Sequence, residues 1–163
     1  MEEDMNLYVK QKVFSLNNKF NVYDAEGNTI YDVQSELVSI KSKTYIYDLN
    51  GEQVAYIYRK VFSFMPKYFI EFGQDKAHEL KGKLSFVKEV FVCDDLDIKI
   101  VGNFLQYNYT IAQKDKVIAT IHQKLLSWGD TYELSVEDGI DEKLILAFVI
   151  CIDMIHQINR STN

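Results

Sequence analysis

A mainly β fold, a closed barrel of about twelve short strands around one apolar C-terminal helix, is what this 163-residue sequence predicts. Three observations predict it. Residues 144–152 are apolar without exception, so a helix there is greasy on every side and must be enclosed. Strand-like alternation broken by turn signals fills most of what precedes that run. Long segments also repeat one another without gaps, which points to one hairpin unit used several times.

In chain order, Leu7, Val9 and Val13 alternate with Tyr8, Lys10 and Lys12, the mark of a half-buried strand. Segments 20–23 and 29–33 flank Asp24-Ala25-Glu26-Gly27-Asn28, a turn rich in residues that accept positive φ or bond their own backbone. Segments 44–47 and 54–59 flank a second such turn, Asp48-Leu49-Asn50-Gly51-Glu52. Further strands are predicted at 68–72, 87–92, 98–104, 107–112, 117–122 and 131–136. In the last, Tyr132, Leu134 and Val136 face one way while Thr131, Glu133 and Ser135 face the other. No helical period precedes Asp138.

Residues 15–33 align with 39–57, sharing Lys19/Lys43, Tyr23-Asp24/Tyr47-Asp48 and Gly27/Gly51. Residues 45–72 align with 109–136, sharing Ala55/Ala119, Ile57/Ile121, Lys60/Lys124, Ser63/Ser127 and Tyr68/Tyr132. A short signature recurs as Lys12-Val13-Phe14-Ser15, Lys60-Val61-Phe62-Ser63 and Lys124-Leu125-Leu126-Ser127, with Lys83-Leu84-Ser85 one residue shorter. Each Lys-to-Ser step then falls at the same kind of strand end. Closure of the hairpins into a barrel removes exposed sheet edges. A barrel of that many strands is too wide for wall side chains alone to fill, and the apolar helix is the natural filler. Leu144, Leu146, Phe148, Val149 and Ile152 are its plug residues, and Asp141 is a plausible N-cap. Asp153 interrupts the run. It is either buried with a hydrogen-bonded partner or placed in water at the barrel mouth.

Length fits one domain, expected over residues 5–158 with flexible termini at 1–4 and 159–163. The net charge of −6 argues against nucleic-acid binding, which needs excess Lys and Arg. The apolar run is short of the ~20 residues a membrane-crossing helix requires. The acidic Met1-Glu2-Glu3-Asp4-Met5 is not a signal peptide, and Cys93 and Cys151 have neither metal nor redox spacing. A reduced cytoplasmic protein, monomeric, is the expectation.

Asn103-Phe104, residues 117–121, Ser127-Trp128-Gly129-Asp130-Thr131-Tyr132 and residues 147–153 resemble the LURP-one-related family. That family is similar in fold to the tubby C-terminal domain and to phospholipid scramblases, so the resemblance implies a twelve-stranded barrel around a hydrophobic central helix. It implies little about activity. Tubby domains bind phosphoinositide head groups through a basic pocket and scramblases act at membranes, but no functional residue of either matches this chain position by position.

For catalysis, the sequence offers no nucleophile, acid–base pair or metal set at suitable spacing, and no cofactor motif, so neither enzyme activity nor a cofactor or metal is expected. His78, His122 and His156 lie far apart, and a lone histidine at a strand or helix end is ordinarily structural. The Asp94-Asp95-Asp97 cluster beside Cys93 lacks the Gly and terminal Glu of an EF-hand loop and reads as a solvated acidic turn. One lead remains. If the Lys signatures are equivalent, Lys12, Lys60, Lys83 and Lys124, with Arg59 and Lys81 nearby, form candidate contacts for an anionic lipid head group or a phosphorylated ligand. The same lysines also serve as edge protection. The expected function is therefore a non-catalytic binding or scaffold module, with a protein–protein module using exposed Tyr and Phe as the first alternative and an unrecognised hydrolase or transferase as the last.

Overall fold

The computed structural model describes residues 4–10, 19–36, 42–60, 62–126 and 129–161. Twelve strands are found among them: β1 (Met5–Lys10), β2 (Lys19–Tyr23), β3 (Thr29–Glu36), β4 (Lys43–Tyr47), β5 (Gln53–Arg59), β6 (Lys67–Glu71), β7 (His78–Lys83), β8 (Glu89–Cys93), β9 (Ile98–Asn103), β10 (Asn108–Gln113), β11 (Lys116–Leu126) and β12 (Gly129–Val136). Each pairs antiparallel with its chain neighbour, and β1 pairs with β12 to close the barrel. Helix α1 (Glu142–Ser161) follows.

Alternation sorts the wall. Leu7, Val22, Val33, Ile46, Ile57, Ile70, Leu80, Ile100, Ile111 and Leu134 point inward and are fully buried. They surround α1, in which every residue from Ile145 to His156 is buried, so more than three turns have no exposed face. Leu146, Phe148, Val149 and Ile152 lie inside this sheath, and Leu144 is half-buried at its start. Asp141 caps the helix, its Oδ1 accepting the Lys143 N–H at 3.0 Å.

The hairpin turns of the first repeat pair are structural equivalents, while the Lys-to-Ser signatures fall in part outside the described residues. In both early hairpins an Asp carbonyl accepts the N–H of the Gly three residues on, Asp24 from Gly27 and Asp48 from Gly51. Both glycines have positive φ, 86° and 78°. The ladder slips by one residue at the same repeat position, between Val22 and Tyr23 and between Ile46 and Tyr47. Strand β7 has no counterpart in the sequence-based prediction. Its inward positions are His78, Leu80 and Gly82, so only one of three is apolar and no period is visible.

Up-and-down order sets which residues share an end. Odd-numbered strands all run one way, so their C-termini lie together with the N-termini of even strands, at what is here termed the rim. The opposite end is the base, where β12 hands over to α1. The helix therefore enters at the base and its C-terminal turns reach the rim, as the contact of Met154 with Thr44 near the start of β4 requires.

Candidate functional site

Three rim connections carry exposed apolar side chains. Phe62 and Phe64 follow β5, Leu84, Phe86 and Val87 follow β7, and Leu105 follows β9. Phe62 is fully exposed and holds φ at +61°, a conformation costly for a bulky L-residue. The β5–β6 connection is nonetheless fixed at its base. The Lys60 N–H donates to the Lys67 carbonyl at 2.9 Å, and the Gly82 N–H donates to the Pro66 carbonyl at 2.9 Å. Large apolar groups held in water are unfavourable for an isolated fold.

Basic side chains stand among them. Lys60 and Lys83 sit at the rim ends of β5 and β7, Lys88 precedes β8, and all three are exposed and form no salt bridge among the described residues. Arg59 ends β5 beside Lys60 and is half-buried. Two other sequence candidates are engaged elsewhere. Lys124 also lies toward the rim, but its Nζ is 2.6 Å from Glu133 Oε2, which accepts from the Tyr8 hydroxyl at 2.8 Å as well. Lys81 lies mid-strand and is paired with Asp94, whose hydrogen bond raises its pKa. Lys12 lies outside the described residues. The base is acidic by contrast, with Asp24, Glu26, Asp48, Glu52, Asp75, Asp94, Asp97 and Asp115 in or beside its turns and Lys76 and Lys114 among them. A chain of net charge −6 thus keeps a basic end.

Beneath the rim the barrel interior is polar but filled. Glu89 accepts from His156 Nε2 at 2.9 Å and from the Tyr109 hydroxyl at 2.6 Å. Burial pushes the Glu89 carboxyl up, but those two hydrogen bonds outweigh it and hold the pKa below its ordinary value. Asp153 is buried, not solvated, and accepts from Gln157 at 2.7 Å. Tyr107 stacks on Tyr132 at 4.6 Å. The cavity among Tyr107, Tyr109, Tyr132 and Asp153 is about 10 Å³, no larger than one water site. That cavity is too small to hold a sizeable ligand.

At the base, His78, Cys93 and Asp95 converge. Asp95 Oδ2 is 2.6 Å from His78 Nδ1, and Asp95 Oδ1 accepts from the Cys93 thiol at 3.2 Å. Burial, then Asp95, pushes the thiol up to about 12, which removes it as an unassisted nucleophile at neutral pH. Sequence spacing gave no hint of this meeting, because the three residues come from the two ends of a β-hairpin and the turn beyond it. The exposed apolar tips were equally missed, although Phe62 and Phe64 flank Ser63 inside the recurring signature.

A closed antiparallel barrel of twelve strands plugged by its own C-terminal helix defines a tubby-like class of β fold. The chain belongs to the LURP-one-related family, whose sequence profile matches residues 5–153. It is 28% identical over 149 residues to the uncharacterised protein YxjI of Bacillus subtilis (strain 168), covering 91% of this chain and 92% of that one. An X-ray structure of a protein from Arabidopsis thaliana shares the fold, with a TM-score of 0.69 and 16% identity over 95% of this chain and 93% of that one. No helix among the described residues is long and apolar enough to cross a membrane.

Proposed function

We propose that this protein is a non-catalytic module that docks reversibly, rim first, on an anionic phospholipid surface such as the cytoplasmic leaflet. The observation that carries the reading is the coincidence on one end of exposed Phe62, Phe64, Leu84, Phe86 and Val87 with exposed Lys60, Lys83 and Lys88. Interfacial anchoring needs both terms. Lysines near an anionic surface contribute about 1 kcal/mol each, so these three supply roughly 3 kcal/mol. A phenylalanine removed fully from water contributes roughly 1.5–3 kcal/mol, and shallow insertion of several gives part of that each. Acidic turns at the base favour the orientation by keeping the far end away from lipid head groups.

Vesicle co-sedimentation tests this directly. Expected is binding to phosphatidylserine-containing vesicles that weakens with salt, little binding to phosphatidylcholine alone, and loss with Lys60→Glu/Lys83→Glu. Phe62→Ser/Phe86→Ser is expected to weaken binding without changing its salt dependence. Equal partitioning between neutral and anionic vesicles overturns the reading. A stable protein partner captured by the same rim in lipid-free solution would favour the protein-interaction alternative instead.

A further inference from the structure

We propose that His78, Cys93 and Asp95, brought together where β7 begins and β8 ends, form a binding site for a zinc-like transition-metal ion at the base of the barrel. The three offer an imidazole nitrogen, a thiol sulfur and a carboxylate oxygen, and these atoms all lie within 4.8 Å of one another. Mixed nitrogen, sulfur and oxygen donors suit Zn²⁺ and its analogue Co²⁺ better than Ca²⁺ or Mg²⁺, which take oxygen alone. With metal–ligand bonds of about 2.0–2.3 Å, tetrahedral ligands stand roughly 3.3–3.7 Å apart. Cys93 Sγ lies 3.2 Å from Asp95 Oδ1 and His78 Nδ1 lies 2.6 Å from Asp95 Oδ2, so the carboxylate turns to offer one oxygen and its contact with His78 opens as a metal enters.

The backbone directs these groups together. Cys93 is the last residue of β8 and points into the barrel, and the chain then makes a tight helical turn over Asp94–Leu96 that ends with Asp97 at φ 53°. That turn folds the Asp95 carboxylate back over the thiol. Asp94 is turned outward and occupied by Lys81, leaving Asp95 as the carboxylate presented to His78. Cys93 is wholly buried, His78 half-buried and Asp95 exposed, so three ligands approach from the protein and a fourth position faces solvent. This is the three-ligand, one-open arrangement of accessible metal sites. On binding, the Cys93 thiol gives its proton to solvent as the sulfur–metal bond forms, and His78 coordinates through Nδ1 with its proton on Nε2. The site lies at the opposite end from the lysine rim and is independent of it.

The competing account is a hydrogen-bonded triad with no ion. Titration of the chelator-stripped full-length chain with Co²⁺ separates the two. Expected is one equivalent bound with a thiolate-to-cobalt charge-transfer band, abolished by Cys93→Ser and retained by Cys151→Ala. Zinc competition against a chromogenic chelator is expected to weaken at least tenfold in His78→Ala and in Asp95→Ala. Zinc should also raise the melting temperature of the unmodified protein, with reversal by chelator, a readout that needs no variant to fold. Absence of the charge-transfer band, a band that survives Cys93→Ser, or a melting temperature unchanged by zinc would each overturn the assignment.

Discussion

Replacing Gly102 with alanine probes how the plug helix is locked to the wall. Gly102 stands inward on β9, directly opposite both Tyr109 on β10 and Glu89 on β8. The bare Gly102 backbone lets the Tyr109 ring lie across β9 so that its hydroxyl reaches Glu89, which in turn holds His156 of α1. A Cβ added at Gly102 would lie 2.2 Å from Tyr109 Cδ1 and 2.3 Å from the Asn108 carbonyl oxygen. The ring can swing away, but the carbonyl belongs to the ladder and cannot. Overpacking of this kind costs roughly 1–3 kcal/mol, and losing the Tyr109 bond to a charged partner adds roughly 1.5–3. Gly102→Ala is therefore expected to destabilise by about 2.5–6 kcal/mol, lowering the melting temperature by roughly 5–24 °C for a chain of this length. Tyr109→Phe keeps the ring and should show only the hydrogen-bond share. Calorimetry or urea unfolding measures both, and a Gly102→Ala protein as stable as the parent would refute the cross-strand lock.

Phe148→Ala, at a fully buried plug position, should cost about 3–5 kcal/mol in urea unfolding. Phe86→Ala, at a fully exposed rim position, should stay within about 0.5 kcal/mol of the parent while weakening vesicle binding. Glu89 has a folded pKa below its ordinary 4.5, so its contribution is complete above that pH and is lost as pH falls through the folded value. Glu89→Gln should be less stable than the parent at neutral pH, with the gap closing in acid when unfolding midpoints are compared across pH. Tyr8 is raised to about 12 by burial and then by Glu133, so Tyr8→Phe should lose less stability than the parent as pH climbs from 10 towards 12.

The hairpins around Asp24-Ala25-Glu26-Gly27-Asn28 and its repeat were legible because the turn chemistry is local. An Asp three residues before a Gly makes the same bond and the same positive φ in both hairpins. Strand β7 was not legible, since Gly82 and His78 occupy inward positions whose neighbours, not their own polarity, make them inward. Asp153 could be read either way from sequence. Its burial depended on how far α1 extends beyond the apolar run, and the helix continues to Ser161.

Residue order alone shows that residues 144–152 need a complete sheath and that repeating hairpins can supply one. Both facts are carried by local pattern, because hydrophobic periodicity and turn residues act over a few positions. That Phe62, Phe86, Lys60 and Lys83 share one end, and that His78, Cys93 and Asp95 meet at the other, is visible only in the folded barrel. Those meetings arise from strand direction and barrel closure, which join residues by distance in space and leave no trace in their spacing along the chain.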